Sequence, residues 1–255
     1  MPMTFNKYMD NPSQGTSTFT NRGMYQQMYR KKFDTLMVRE QGRIAYKIYR
    51  TNNATDSFYI HLKIPSEELL NFYYDVVVEL YTRENVQKTA TNLRGYNVRF
   101  FSNDHAFIFS FAHAFNKHGL FIPVLQSKML KQSLKEKAMA RNPRDDIWYV
   151  KSLCFAFYAM ERYSLFTRSA LNQKAVKYNQ TEFLKNITSA QDKLDQHNQV
   201  KSDQKARKKL ESESKRKQDQ AIMAKNKFIT NVNIVSRSPK IGGSIKHTKT
   251  TRVIR

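Results

Sequence analysis

The stretch NDHAFIFSFAHAFNKHG, residues 103–119, gathers Asp104, His105, His113 and His118. These are the residue types from which a metal site or an acid–base pair is built. His105 and His113 can share one side of a helix. His118 follows at i+5, whereas i, i+3 or i+4 spacing brings two imidazoles onto one ion. No nearby cysteine or further acid completes a ligand set, so His105 and His118 read as polar residues at the two ends of a helix. Cys154, the only cysteine, sits inside SLCFAFYAM, where an apolar setting makes it a small buried hydrophobe and not an activated nucleophile. Asp145 and Asp146 follow Pro143 in a predicted first helical turn, which the helix dipole explains. There is no GxxxxGK[ST] and no GxGxxG, and Gly242-Gly243 is a lone pair. The expectation is a non-enzymatic protein with no catalytic residue, metal, cofactor or small-molecule substrate.

The charge distribution points to chemistry of another kind. The formal charge is +23. From Leu171 onward there are 20 Lys/Arg against 7 Asp/Glu, a net of +13 in 85 residues. Lys205, Arg207, Lys208 and Lys209 form one block, and Lys215, Arg216 and Lys217 a second. Arg237, Lys240, Lys246, Lys249, Arg252 and Arg255 continue through an acid-free arm. A chain this basic is attracted to nucleic acid, to anionic lipid or to an acidic protein surface. On a helix the two blocks spread over several faces, which suits phosphate neutralisation better than base readout. Binding of that kind weakens steeply with salt. A plain solvated segment is the competing reading.

Tyr46, Tyr49 and Tyr59, interleaved with Arg43, Lys47, Arg50 and Lys63, make a second candidate surface. On strands they resemble a platform for stacking single-stranded bases, and equally an ordinary solvated sheet face. Phe107, Phe109, Phe111, Phe115, Phe155, Phe157 and Tyr158 have helical spacing in apolar runs and read as core.

These candidates need a scaffold, and the predicted one is α+β: a small antiparallel sheet packed with about four helices, between an extended N-terminal arm and a long basic tail. Residues 1–33 are polar and lack a period, so their aromatics are free to plug into a neighbour. The core spans 34–168. It opens with two strands flanking a hairpin turn at Gln41-Gly42, then the alternating strand Phe58–Pro65. Ser66 caps a predicted helix over EELLNFYYDVVVELYT. YNVRFFS returns as a strand, a helix closes at Gly119, a more polar helix covers 124–140, and Pro143 starts the last core helix. Residues 169–227 are charged and compatible with a helix. Residues 228–255 form an extended basic arm, in which FITNVNIV is suited to adding a strand to a neighbour's sheet. No apolar run reaches the roughly 18 residues of a membrane span, and no membrane partner is expected.

The blocks FYIHLKIPSEELLNFYYDVVVELYT, RGYNVRFFSNDHAFIFSFAHAFNKHGLFI and IWYVKSLCFAFYAMERYSLF together resemble structural proteins of tailed bacteriophages. The resemblance covers about residues 30–170 and carries no site residues. It implies a virion component of capsid-associated or head–tail connector type, repeated in a ring or shell and assembled in the host cytoplasm. Its partners would be other virion proteins, copies of itself and packaged DNA. The alternative is a ribosome-associated or genome-maintenance protein that binds nucleic acid with its basic tail and its Tyr/Lys/Arg sheet face.

Overall fold

The computed structural model describes residues 3–10, 29–51, 57–82, 91–125, 133–138, 142, 145–147 and 150–235. In it, the best alternation of the sequence becomes a central strand. Phe58, Ile60, Leu62 and Ile64 line one face of β2 (Ser57–Pro65), all buried. β1 (Tyr46–Arg50) pairs antiparallel with β2, setting Tyr49 opposite Tyr59. β3 (Tyr73–Tyr81) pairs on the other side, with Asp75 opposite Lys63 and Glu79 opposite Tyr59. β4 (Asn97–Ser102) completes the meander. The short β5 (Ala175–Lys177) then runs parallel to β1, giving a mixed five-stranded sheet of order β4-β3-β2-β1-β5 in an α+β fold.

Of the N-terminal segment, residues 3–10 are part of the core and not an arm for a neighbour, while residues 11–28 of the expected arm lie outside the described residues. Phe5, Tyr8 and Met9 of α1 (Phe5–Asp10) are buried. The Phe5 ring lies 5.1 Å from that of Phe157 and 4.7 Å from that of Phe166, and the Tyr8 hydroxyl donates to the Ile147 carbonyl at 2.8 Å. The segment before Gln41 is also not a strand. It is α2 (Arg30–Arg39), with Phe33, Leu36 and Met37 inward at helical spacing. Gln41 and Gly42 do turn the chain, both at positive φ (53° and 75°). The turn closes a helix, however, with the Gly42 amide donating to Met37 at 2.6 Å.

The predicted helix after Ser66 is β3. Ser66 does behave as a cap, its Oγ accepting the amides of Glu68 and Leu69 at 3.3 and 3.2 Å. The helix does not follow, because Val76-Val77-Val78 is a β-branched run buried on both faces of the sheet. Such a strand has no alternation to betray it. Downstream, a π-helical turn (Phe107–Phe111) leads into α3 (Ala112–Lys117), and Gly119 ends it at φ 69° as expected. Of the polar helix, Pro123–Leu125 is a 3-10 turn and most of the rest lies outside the described residues.

The last core helix, α4 (Lys151–Arg162), begins later than Pro143 predicts. Before it, the Asn142 side chain accepts the Asp146 amide and donates to the Asp146 carbonyl, both at 2.8 Å, and Asp145 sits at φ 54°. Those bonds hold Asn142 and Asp146 in a non-helical turn, and the helix starts at Lys151. α4 covers one sheet face, Phe157 against Phe100 at 5.4 Å. Three further helices follow: α5 (Arg168–Lys174), α6 (Gln180–Lys185) and α7 (Ala190–Val235). The first compact unit runs to Lys201, past the composition change near 168, because Leu171, Phe183 and Ala190 are buried in it. Ser202–Arg255 is a second unit. Its FITNVNIV stretch continues α7 to Val235 and is not an extended strand. Helix elongation outweighs the modest β-branched penalty, and no Gly or Pro interrupts before Pro239.

Candidate nucleic-acid interface

Within the second unit, Lys205, Arg207, Lys208, Lys209, Lys215, Arg216 and Lys217 all lie on α7, and every residue from Lys205 to Ala224 is exposed. The sequence explains why. This stretch offers only Leu210, Ile222 and Met223 as large apolar side chains, themselves 57–71% exposed, so no stripe exists to bury against a partner element. From Ser202 to Val235 the helix rises about 50 Å at 1.5 Å per residue. Nine Lys/Arg against four Asp/Glu stand along it. Chemically this is a rod of cations able to neutralise phosphates. Arg237, Lys240, Lys246, Lys249, Arg252 and Arg255 lie outside the described residues.

The tyrosine face is not a platform for bases, because α5–α6 and the loops around them cover it. Tyr49 is fully buried. Its ring meets Phe183 edge-on at 5.1 Å, and its hydroxyl accepts from Asn186 at 3.0 Å. Tyr59 stacks on Tyr178 at 4.9 Å. Tyr46 is not on that face: opposite Leu62, it points to the other side of the sheet, where it lies 5.1 Å from Tyr163 and its hydroxyl accepts from Lys174 at 2.8 Å. The aromatic partners come from beyond residue 160, a separation that no local pattern reveals.

The same face buries an ionic network that sequence reading missed. Asp75, wholly inaccessible, lies 2.7 Å from His61 Nε2 and 2.8 Å from Lys63 Nζ through Oδ1. Its Oδ2 accepts from Asn103 Nδ2 and from the Thr188 amide, each at 3.0 Å. Burial by itself would raise this carboxyl, but the hydrogen bonds and charge of His61 and Lys63 hold it well below the usual range. The network ties β2, β3 and the residue after β4 to the chain that enters α7. It is an anchor, with Asp75 and His61 buried and Lys63 at its exposed edge.

The histidines that opened the sequence question are dispersed. His113 Nδ1 donates to the Leu134 carbonyl at 3.1 Å, and His118 ends α3. Among the described residues no three His, Cys, Asp or Glu side chains are placed to hold a metal. Cys154 is buried, which pushes its thiol up to about 12. His105 instead faces His197 of α7, with ring centroids 4.3 Å apart. Tyr74 hydroxyl lies 3.2 Å from His197 Nδ1. Both rings border a cleft of about 510 Å³ that also exposes Lys32, Glu67, Lys151 and Lys201. Its charges engage one another: Lys32 and Lys151 hold Glu67 at 2.9 and 3.1 Å, and Lys201 approaches Glu68 at 3.6 Å. Burial lowers both imidazoles, helped by Lys201 and, at His197, by His105. His197 and Tyr74 had no signature in the sequence, lying in a charged segment and in a misassigned helix.

No family model, curated protein or solved structure matches the chain. Among the described residues no helix is long and apolar enough to cross a membrane.

Proposed function

We propose that the chain is a non-enzymatic structural protein of a viral particle that contacts packaged DNA through the basic part of α7. The observation that carries the DNA contact is the exposed cationic helix. Seven Lys/Arg lie within thirteen residues, on a stretch of α7 that is exposed throughout and has no apolar stripe to bury. A phosphate backbone is the partner whose charge density fits such a rod. The non-enzymatic reading is supported by the histidine cleft, whose charged groups pair with each other. The place in a tailed-phage particle rests on the resemblance of the core sequence. Neighbouring virion proteins or further copies of the chain are the partners of the acid-free arm. The rival reading, a nucleic-acid binder working through its basic tail and its Tyr/Lys/Arg sheet face, keeps the tail, while Tyr49 and Tyr59 of the sheet face pack against Phe183 and Tyr178.

The test uses the full chain and a labelled 30-base-pair duplex. A variant with all seven Lys/Arg of 205–217 changed to Gln should lose nearly all affinity at about 0.1 M salt, since the electrostatic contacts supply nonspecific binding. Unchanged affinity would end the proposal.

A further inference from the structure

The cations of α7 are not spread evenly, and the unevenness deepens the reading just proposed, on which it rests. At 100° per residue, taking Lys205 as zero, Arg216 falls at about +20°, Lys209 at about +40°, Lys208 at about −60° and Lys215 at about −80°. Five of the seven Lys/Arg between 205 and 217 thus share an arc of about 120°, where an even spread would place about two. Arg207 and Lys217 lie outside it, at about −160° and +120°. The acids avoid it as well: Glu213, Glu211 and Asp203 fall at about +80°, −120° and +160°. Asp219, near −40°, is the first acid on this face and marks its end (about one turn after Arg216). The two blocks that look scattered in sequence therefore make one basic stripe, with a mixed-charge back.

We infer that this stripe, Lys205 to Arg216, is a docking face for the phosphodiester backbone of a nucleic-acid duplex. Its length is about 16 Å, at 1.5 Å per residue. Over that length of duplex axis one strand carries about five phosphates, a charge comparable to that of the five cations. The stripe carries no Phe, Tyr or Trp, and none occurs between Ser202 and Lys227. Base stacking, on which single-strand binding depends, has nothing to use here. Every stripe residue is exposed, so the face is open without rearrangement.

The test compares two full-length double variants of equal charge change, Lys205→Gln/Arg216→Gln on the stripe and Arg207→Gln/Lys217→Gln on the back. Both alter exposed positions of one helix, and circular dichroism checks that helicity is kept. Duplex affinity is measured by anisotropy from 0.05 to 0.3 M salt. The stripe pair should flatten the plot of log affinity against log salt by about two, one per lost phosphate contact, and the back pair by well under one. Equal flattening by the two pairs overturns the oriented face and leaves the proposed function standing. A wild-type chain that binds no duplex overturns both. Tight capture by phosphatidylserine vesicles with no duplex binding would make the occupant a lipid surface, and the inference would fall.

Discussion

Asp75 and His61 meet across neighbouring strands at 2.7 Å, each shut off from solvent, and Lys63 closes on the same carboxylate oxygen from 2.8 Å. Removing one member of such a buried set strands the others. Asp75→Ala should therefore lower unfolding free energy by about 3–5 kcal/mol, read from urea denaturation. A loss below about 1 kcal/mol, the size of a surface pair, would show that the network is not what ties α7's entry to the sheet.

The Asp75 carboxyl also sets an acid limit. Its folded-state pKa is depressed below the unfolded value near 3.9, so its contribution is present above about pH 4 and is lost as pH falls further. The stability of Asp75→Ala should accordingly vary less with pH than that of the wild type below about pH 4. Parallel curves for the two proteins would contradict the assignment.

His105 and His197 give a second pH dependence of opposite chemical type. Both are neutral bases whose folded pKa lies below the free value near 6.5, so the unfolded chain takes up protons first. Their contribution is complete above that value and declines as pH falls through it. Lys201 adds to the penalty, while Glu68 and Asp104 oppose it at His197. Amide exchange over 190–201, corrected for intrinsic rate, should quicken between pH 7.5 and 5.5, and His197→Gln should reduce that change. An exchange pattern insensitive to pH in the wild type would refute it.

The N-terminal helix is predicted to be structural. Phe5 is 1% exposed and packs on Phe157 and Phe166. Phe5→Ala should cost about 3–5 kcal/mol, with duplex affinity of the folded protein unchanged. Near-wild-type stability would return residues 1–10 to the status of a free arm.

Phe183 seals the tyrosine face by touching Tyr49 and Tyr59. Phe183→Ala should cost a similar amount, about 3–5 kcal/mol. Single-stranded oligonucleotide binding by the folded wild type should be no better than duplex binding. A strong preference for single strands would mean that the covered face opens.

How much of this was legible in the sequence depends on the range of the interaction that decides each element. β2, β4 and the Gly119 stop follow from two-residue alternation or from one glycine, and all stand where local pattern puts them. β3 and α2 were exchanged in type because their decisive contacts are distant. Val76–Val78 is a strand only because β2 and β4 flank it, and Phe33 reaches Tyr158 and Phe155 on α4. The Asp75 network draws on residues from 61 to 188, beyond any spacing rule. The basic blocks were evident from composition alone. Their alignment on one side required knowing that α7 runs unbroken through LESES.

The most direct test of the central claim is the salt dependence of duplex binding by the full-length protein. Log affinity should fall linearly with log salt with a slope of about −4 to −6, matching the five stripe cations and their neighbours at 0.9 per phosphate. A slope near zero, or no binding at 0.05 M salt, would mean that the basic helix does not neutralise nucleic acid.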